Sequence, residues 1–393
     1  MEKIHQLKNK VIEWVISCLS GKARTLVPRY GFYAWACLGL RGVPVVLLRG
    51  PTNPSGQLGT LLVAGHDPWV GYLPSRFFLG EPQRELVGNV SLRKLPALLD
   101  RRRVSADMTI VRADRLSAQK IFGKDYLAVP EWIGMRLAVP HDLDALVRGN
   151  RSIREDMRLV RRHKLQPLVT EGEERFDEFY DSMYLPFSRA RHGANAIIRG
   201  RQYLRRCHRK GGILWVLQDN QPLAGVVFER NNDILDMQAI GILTAELPLK
   251  MRGVMAALYY YSIAHARQLG CAEVDFRAAR PSLHDGLLRY KRKWGNALCD
   301  NPNSYYDLLV RWNRVNGVVK DFLSHTGLIF RDEGRLSAIQ ADESQSRRSL
   351  WVEGLHRLYL LTESGRQPMM DEGVSLSEAG ATPDSQRAYF GTG

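Results

Sequence analysis

GILWVLQ-DNQ-PLAGVVFE-RNN-DILDMQAIGI, residues 212–242, consists of three apolar runs separated by two short polar breaks. Runs of this length bounded by Asn and Asp predict three β-strands joined by tight hairpins, an antiparallel meander. Upstream, QPLV reads as a short strand, followed by helical EERFDEFYDSMYLPF and RGRQYLRRCHRK. Downstream, the loop LTAELPLKMRG leads into a helix through VMAALYYYSIAHARQLG, which Gly270 terminates. Ala257, Leu258, Tyr261 and Ala264 form its expected packing stripe. The strand AEVDF follows, so strand, helix and strand make a βαβ crossover. A further helix is expected from about Ser282 or Leu283 through HDGLLRYKRKWGN, residues 284–296. The fold class is therefore α/β (α+β), with a mixed sheet that combines a meander and a crossover.

The flanks are less regular. Residues 43–140 alternate short apolar runs, such as VPVVLLRG and ADMTIVRAD, with Pro and Gly, and NPSGQLG (53–59) reads as a turn or loop. NRSIREDMRLVRRHKL (150–165) predicts a helix with Ile153, Met157 and Val160 on one side and cations on the other. Hairpin strands are expected within 322–362, and the last thirty or so residues lack periodicity and read as a disordered tail. These features divide the chain into an N-terminal α/β region (1–145), a central domain (146–320), a hairpin extension (321–362) and a tail (363–393).

The 393 residues carry 56 Lys and Arg against 41 Asp and Glu, a net charge of +15 that favours anionic partners. Coenzyme phosphates, tRNA and an acidic membrane surface all satisfy it; no DNA-binding motif is present. The clusters RRR (101–103) and RRHK (161–164) have few aromatics among them and read as solvated surface. Five scattered cysteines without a CxxC pair exclude a disulfide framework and a zinc finger, and fit a reducing cytoplasm. His192, His265 and His284 are isolated, so no metal site is expected. The first residues lack a signal-peptide pattern, and no apolar run is long enough to span a membrane. Residues 1–19 fit an amphipathic helix that either touches the inner membrane face peripherally or docks on the protein's own core.

The order of strand, two helices, three antiparallel strands, helix, strand and helix resembles the GNAT acyltransferase fold. Within it, GCAEVDFRAARPSLHDGLLRYKRKWGN is similar to the signature of the FemAB-like and cellulose-biosynthesis-type acetyltransferase branch. Asp275, Phe276, Gly286, Tyr290, Lys291, Trp294 and Gly295 match it, and the resemblance covers roughly 145–310. It implies a GNAT-like domain at 146–320, and the N-terminal region as a cryptic second half of the same type.

The same resemblance implies acyl transfer from acyl-CoA, with acetyl-CoA as the expected co-substrate, to an amine or hydroxyl. The acceptor would be a sugar, an amino acid or an envelope or polysaccharide precursor. Two alternatives stay open: tRNA-dependent aminoacyl transfer to a peptidoglycan precursor, and a degenerate module with a binding or assembly role. The coenzyme loop of the family falls on KMRGVMAA. Lys250, Arg252, Gly253 and Val254 would bind the pyrophosphate there through helix N-terminal N–H groups. Met255 departs from the family's small residue. Main chain from Gln238 to Ile242 would polarise the donor carbonyl. Asp275, at a strand end, is the candidate base, or a partner for Arg277 or Arg280. Tyr290 is the candidate acid. Lys291 would stand at the rim of the site and neutralise charge, while Arg292 and Lys293 would form a solvated face.

Overall fold

The structure, a computed structural model, describes residues 42–65, 72–101, 106–192, 198–243 and 250–372. The amphipathic stretch 1–19, the tail beyond 372 and the side chains of Lys250 and Arg252 lie outside the described residues.

The first sheet begins with β1 (Gly42–Pro51), β2 (Leu58–Ala64), β3 (Gln83–Ser91), β4 (Met108–Asp114) and β5 (Leu127–Pro130). The second takes β6 (Gly134–Ala138), β7 (Gln166–Thr170), β8 (Gly211–Gln218), β9 (Gln221–Asn231), β10 (Ile234–Ile242), β11 (Glu273–Asp275) and β12 (Ala297–Cys299). The chain then returns to the first sheet with β13 (Tyr306–Trp312), β14 (Leu328–Asp332), β15 (Arg335–Gln340), β16 (Arg357–Thr362) and β17 (Gly365–Asp371).

The second sheet runs β12-β6-β11-β10-β9-β8-β7. The expected meander is there: β7, β8, β9 and β10 pair antiparallel in succession, with Asp219, Asn220 and Asn232 in left-handed turn conformations. The crossover helix Lys250–Gln268 joins β10 to its parallel neighbour β11. Its buried residues exceed the expected stripe, because helix Arg151–Arg162 covers the side turned away from the sheet. Ile153, Met157 and Val160 bury as expected in this core, which also contains Leu214, Val226, Leu235, Val274 and Trp294. On the opposite face, Phe176, Phe179, Tyr184, Leu204 and Cys207 pack on Ile213, Trp215 and Val227.

The first sheet, β17-β16-β15-β14-β5-β13-β4-β2-β1-β3, places β1 between β2 and β3, antiparallel to both, and β2 parallel to β4. It echoes the second in one respect. The runs β4–helix Arg115–Ile121–β5–β6 and β11–helix Gly286–Lys293–β12–β13 follow one scheme, in which the last strand leaves for the other sheet. β6 inserts antiparallel between β11 and β12; β13 inserts antiparallel between β4 and β5. The halves exchange strands.

This exchange corrects the expected division. The boundary at 145/146 cuts β6 away from the sheet it belongs to, and β13 lies within the expected central domain while pairing in the first sheet. The 321–362 hairpin is no separate extension, since β14 and β15 continue the first sheet. The expected tail starts too early, because β17 pairs with β16 up to Asp371. A shared core of Ile133, Met135, Leu283, Leu288 and Leu298 with Ile329, Leu336 and Leu358 joins the halves.

Candidate functional site

β10 and β11 pair only at Ile234–Asp236 against Glu273–Asp275. Beyond Asp236, β10 runs on to Ile242 beside β9 with no strand on its β11 side among the described residues. Its register with β9 shifts between Met237 and Ala239, a bulge at Gln238. The two strands thus part and leave backbone N–H and C=O groups on an open edge, where a ligand's carbonyl can be received. This is the stretch whose main chain was expected to polarise a donor.

Two carboxylates flank the point of parting. Asp236 and Asp275 stand opposite each other in the parallel register, so both side chains emerge on one face. Asp236 is buried, accepts a hydrogen bond from the Asn231 side chain, and has an Arg277 guanidinium nitrogen 3.8 Å away. Burial and the neighbouring Asp275 push its pKa up to about 6. Asp275 pairs with Arg136 Nε at 3.3 Å and accepts the Arg277 backbone N–H at 2.7 Å. Its ionic partner is therefore Arg136, delivered by the exchanged strand β6, and not the side chain of Arg277 or Arg280. Arg277 has φ +64, a left-handed conformation rare for a residue with a side chain.

Lys291 is not at the rim. It is 3% exposed, and its Nζ donates to the carbonyls of Arg277 (3.0 Å) and Ala278 (2.9 Å). Burial lowers its pKa to about 7. The side chain pins the loop after β11 from beneath and fixes where Arg277 stands. Its neighbours are no solvated face either: Arg292 donates to the carbonyls of Arg348 and Ser349, and Lys293 ion-pairs with the buried Asp156. Asp285, whose Oδ1 accepts the Leu288 N–H, starts the helix later than expected, at Gly286–Lys293.

Tyr290 is not brought to the carboxylates. Leu235 and Val274 belong to the core under the crossover helix, so Asp236 and Asp275 project from the opposite face. Tyr290 packs edge-on against Tyr259 of that helix (5.2 Å between centroids), with Lys293 Nζ 4.2 Å from its own ring centre. Burial raises its pKa well above that of a free tyrosine.

The coenzyme-binding expectations are corrected in part. The Gln238 side chain is committed to structure: its Oε1 accepts from Arg199 and Tyr203, and its Nε2 donates to Glu229 at 2.6 Å. Only its main chain is free to serve a ligand. Gly253 is buried, and a Cβ there would sit 3.3 Å from that of Leu159, so this glycine allows helix–helix approach. Val254 is a core residue.

Sequence reading missed Asp236 and Arg136, and named Arg277 only as a partner for Asp275. Asp236 was visible as the lone carboxylate inside DILDMQAIGI beyond its first residue. Arg136 has no local signal, since it meets Asp275 from 139 residues away. Among the described residues no group of three or more His, Cys, Asp and Glu is placed to hold a metal, and no helix is long and apolar enough to cross a membrane. A cavity of about 410 Å³, lined by Lys124, Leu127, Trp312, Leu361 and Arg366 among others, opens in the other sheet.

No family model matches this chain, and no curated protein matches it. Solved structures similar in fold include FemX, at 13% identity over 71% of this chain and 95% of that chain, with a TM-score of 0.37. L-PGS from Bacillus licheniformis is similar at 12% identity over 70% of this chain and 87% of its own, with a TM-score of 0.34. A GCN5-related N-acetyltransferase from Sphaerobacter thermophilus is similar at 14% identity, covering 66% and 82% respectively, with a TM-score of 0.31. These are distant likenesses, and the functional reading rests on the geometry of the site.

Proposed function

We propose that the protein is an acyltransferase that moves an acyl group from acyl-CoA to an amine. The observation that carries this is the opened edge of β10 beside a buried carboxylate of pKa about 6. An amine acceptor arrives as an ammonium and must lose a proton before it attacks. Asp236, ionised at neutral pH and able to hold a proton only weakly, takes it. The amine nitrogen then bonds to the acyl carbon, and the oxyanion that forms accepts hydrogen bonds from N–H groups on the open edge. On collapse the carbon–sulfur bond breaks, and the departing sulfur takes the remaining excess proton of the nitrogen. The Arg136 guanidinium and the Arg277 backbone N–H hold Asp275 in place beside Asp236.

A second donor, an aminoacyl-tRNA, is favoured by one observation: Gly253 is occupied by packing against Leu159 at the position expected to cradle a pyrophosphate. Assaying acyl transfer from acetyl-CoA and longer acyl-CoAs to a panel of amines, alongside calorimetry, tests the proposal. Binding and turnover that fall together in Asp236→Asn support it. Absence of binding at millimolar acyl-CoA by the folded protein rejects the coenzyme donor. Salt-sensitive tRNA binding would then support the second.

A further inference from the structure

Arg280, in the loop that follows β11, holds its guanidinium 3.8 Å from the ring centre of Trp132 and 4.7 Å from that of Tyr72. Tyr72 comes from the first half of the chain, Trp132 from the link between β5 and β6, and Arg280 from the second half, so this cluster sits at the junction of the halves. A second guanidinium, that of Arg76, lies 5.8 Å from the same Tyr72 ring. Neither arginine has an ion pair or hydrogen bond among the described residues. The acids nearest Arg280 are engaged elsewhere: Glu131 is held by Arg112, and an Asp285 oxygen caps the helix at Leu288.

That arrangement differs from a structural ion pair in a way that matters. A guanidinium held over aromatic rings makes no hydrogen bond to them through its in-plane donors, and no ion pair or hydrogen bond among the described residues uses the five N–H donors of Arg280. Half-buried cations without a partner are costly, and a rigid planar fork is the geometry that matches an oxyanion through two parallel hydrogen bonds. Two aromatic neighbours also reduce the side-chain freedom that binding would otherwise have to freeze.

We propose that Arg280, held against Tyr72 and Trp132, and Arg76 form an oxyanion site that takes the phosphate group of a phosphorylated ligand. Two guanidiniums on one ring suit a dianion better than a singly charged carboxylate. Arg280 stands five residues after Asp275, on the loop that Lys291 pins, so the phosphate would belong to donor or acceptor. That last step alone rests on the acyltransferase reading; the anion site does not.

Calorimetric titration of the full chain with sodium pyrophosphate at low salt tests the site, with melting temperature as a second readout. The wild type should bind, and Arg280→Ala should weaken binding by about tenfold or more, the loss of one charge-assisted pair. Arg280→Lys keeps the charge but not the planar fork and should fall in between; it decides the matter if the alanine variant does not fold. Arg76→Ala should weaken binding, Arg289→Ala, on an exposed arginine of the neighbouring helix, should not, and Asp236→Asn should bind as wild type does. No heat and no rise in melting temperature at about 10 mM pyrophosphate would overturn the proposal. So would equal affinity in wild type and both Arg280 variants, or an equal loss in Arg289→Ala, which would mark diffuse attraction to a basic protein. Because turnover is not read, failure here leaves the acyltransferase reading standing, and the reverse holds.

Discussion

Lys291→Met should destabilise the protein, and it should do so with a particular dependence on pH. The two carbonyls that Nζ serves, those of Arg277 and Ala278, have no other partner replacing it in a Met variant. Leaving each buried acceptor unpaired costs about 1–3 kcal/mol, about 2–6 kcal/mol for the two, and Met's volume and relief of the buried amine offset part of that, for a net loss of about 2–4 kcal/mol. In a chain of 393 residues that corresponds to a fall of about 2–5 °C in melting temperature. The pH dependence follows from the lysine's pKa, about 7 in the folded protein against 10.5 when free. A neutral amine has two N–H donors, and there are two carbonyls, so the folded site needs no third. Between pH 7 and 10.5 the unfolded chain binds the proton that the folded chain has released, so wild-type stability gains from this group as pH rises through that window. The gain is lost as pH falls to 7. Its slope is at most about 1.4 kcal/mol per pH unit. Urea unfolding of wild type and Lys291→Met from pH 6 to 10 isolates it, because every other titrating group is common to both. Hydrogen exchange should show faster opening of the loop 276–283 in the variant. A melting temperature unchanged within a degree, or stability curves of wild type and variant that run parallel with pH, would refute this account of Lys291.

Asp236→Asn should reduce acyl transfer about a hundredfold or more, and wild-type activity should rise as pH passes through about 6. The same raised pKa works against stability: the folded state holds the Asp236 proton more tightly, a contribution present below pH 3.8 and lost as pH rises through 6, so the Asn variant should melt higher than wild type at pH 8 and not at pH 4. Lys293→Met should not be silent, because it strands Asp156 at 9% exposure; a loss of about 1–3 kcal/mol is expected, smaller when made together with Asp156→Asn.

What could be read from the sequence was what short-range chemistry dictates. The meander was legible because Asp219, Asn220 and Asn232 occupy turns that few other residues tolerate. The burial of Lys291 was not, since a run of Lys-Arg-Lys looks the same whether one member points inward or none does. Helix geometry separates them: Lys291 turns under the β11 loop, while Lys293 reaches Asp156 on another helix. Gly253 was read as freedom for an anion loop, but close approach of Leu159 demands glycine equally well, and a sequence cannot distinguish the two demands. The strand exchange was invisible for a related reason. A strand pairs through its backbone, and nothing in GMRLA declares which sheet will receive it.

That exchange has a consequence for the site itself. Arg136 reaches Asp275 only because β6, which directly follows the first half of the chain, lies between β11 and β12. The second half therefore cannot complete its own charge arrangement. Without β6, Asp275 loses its guanidinium partner beside Asp236. The first half depends on the second in the same way, since β13 fills the gap between β4 and β5. The charge arrangement around Asp275 is thus a property of both halves together. The guanidinium that faces Asp275 comes from a strand that the second half, taken alone, would lack.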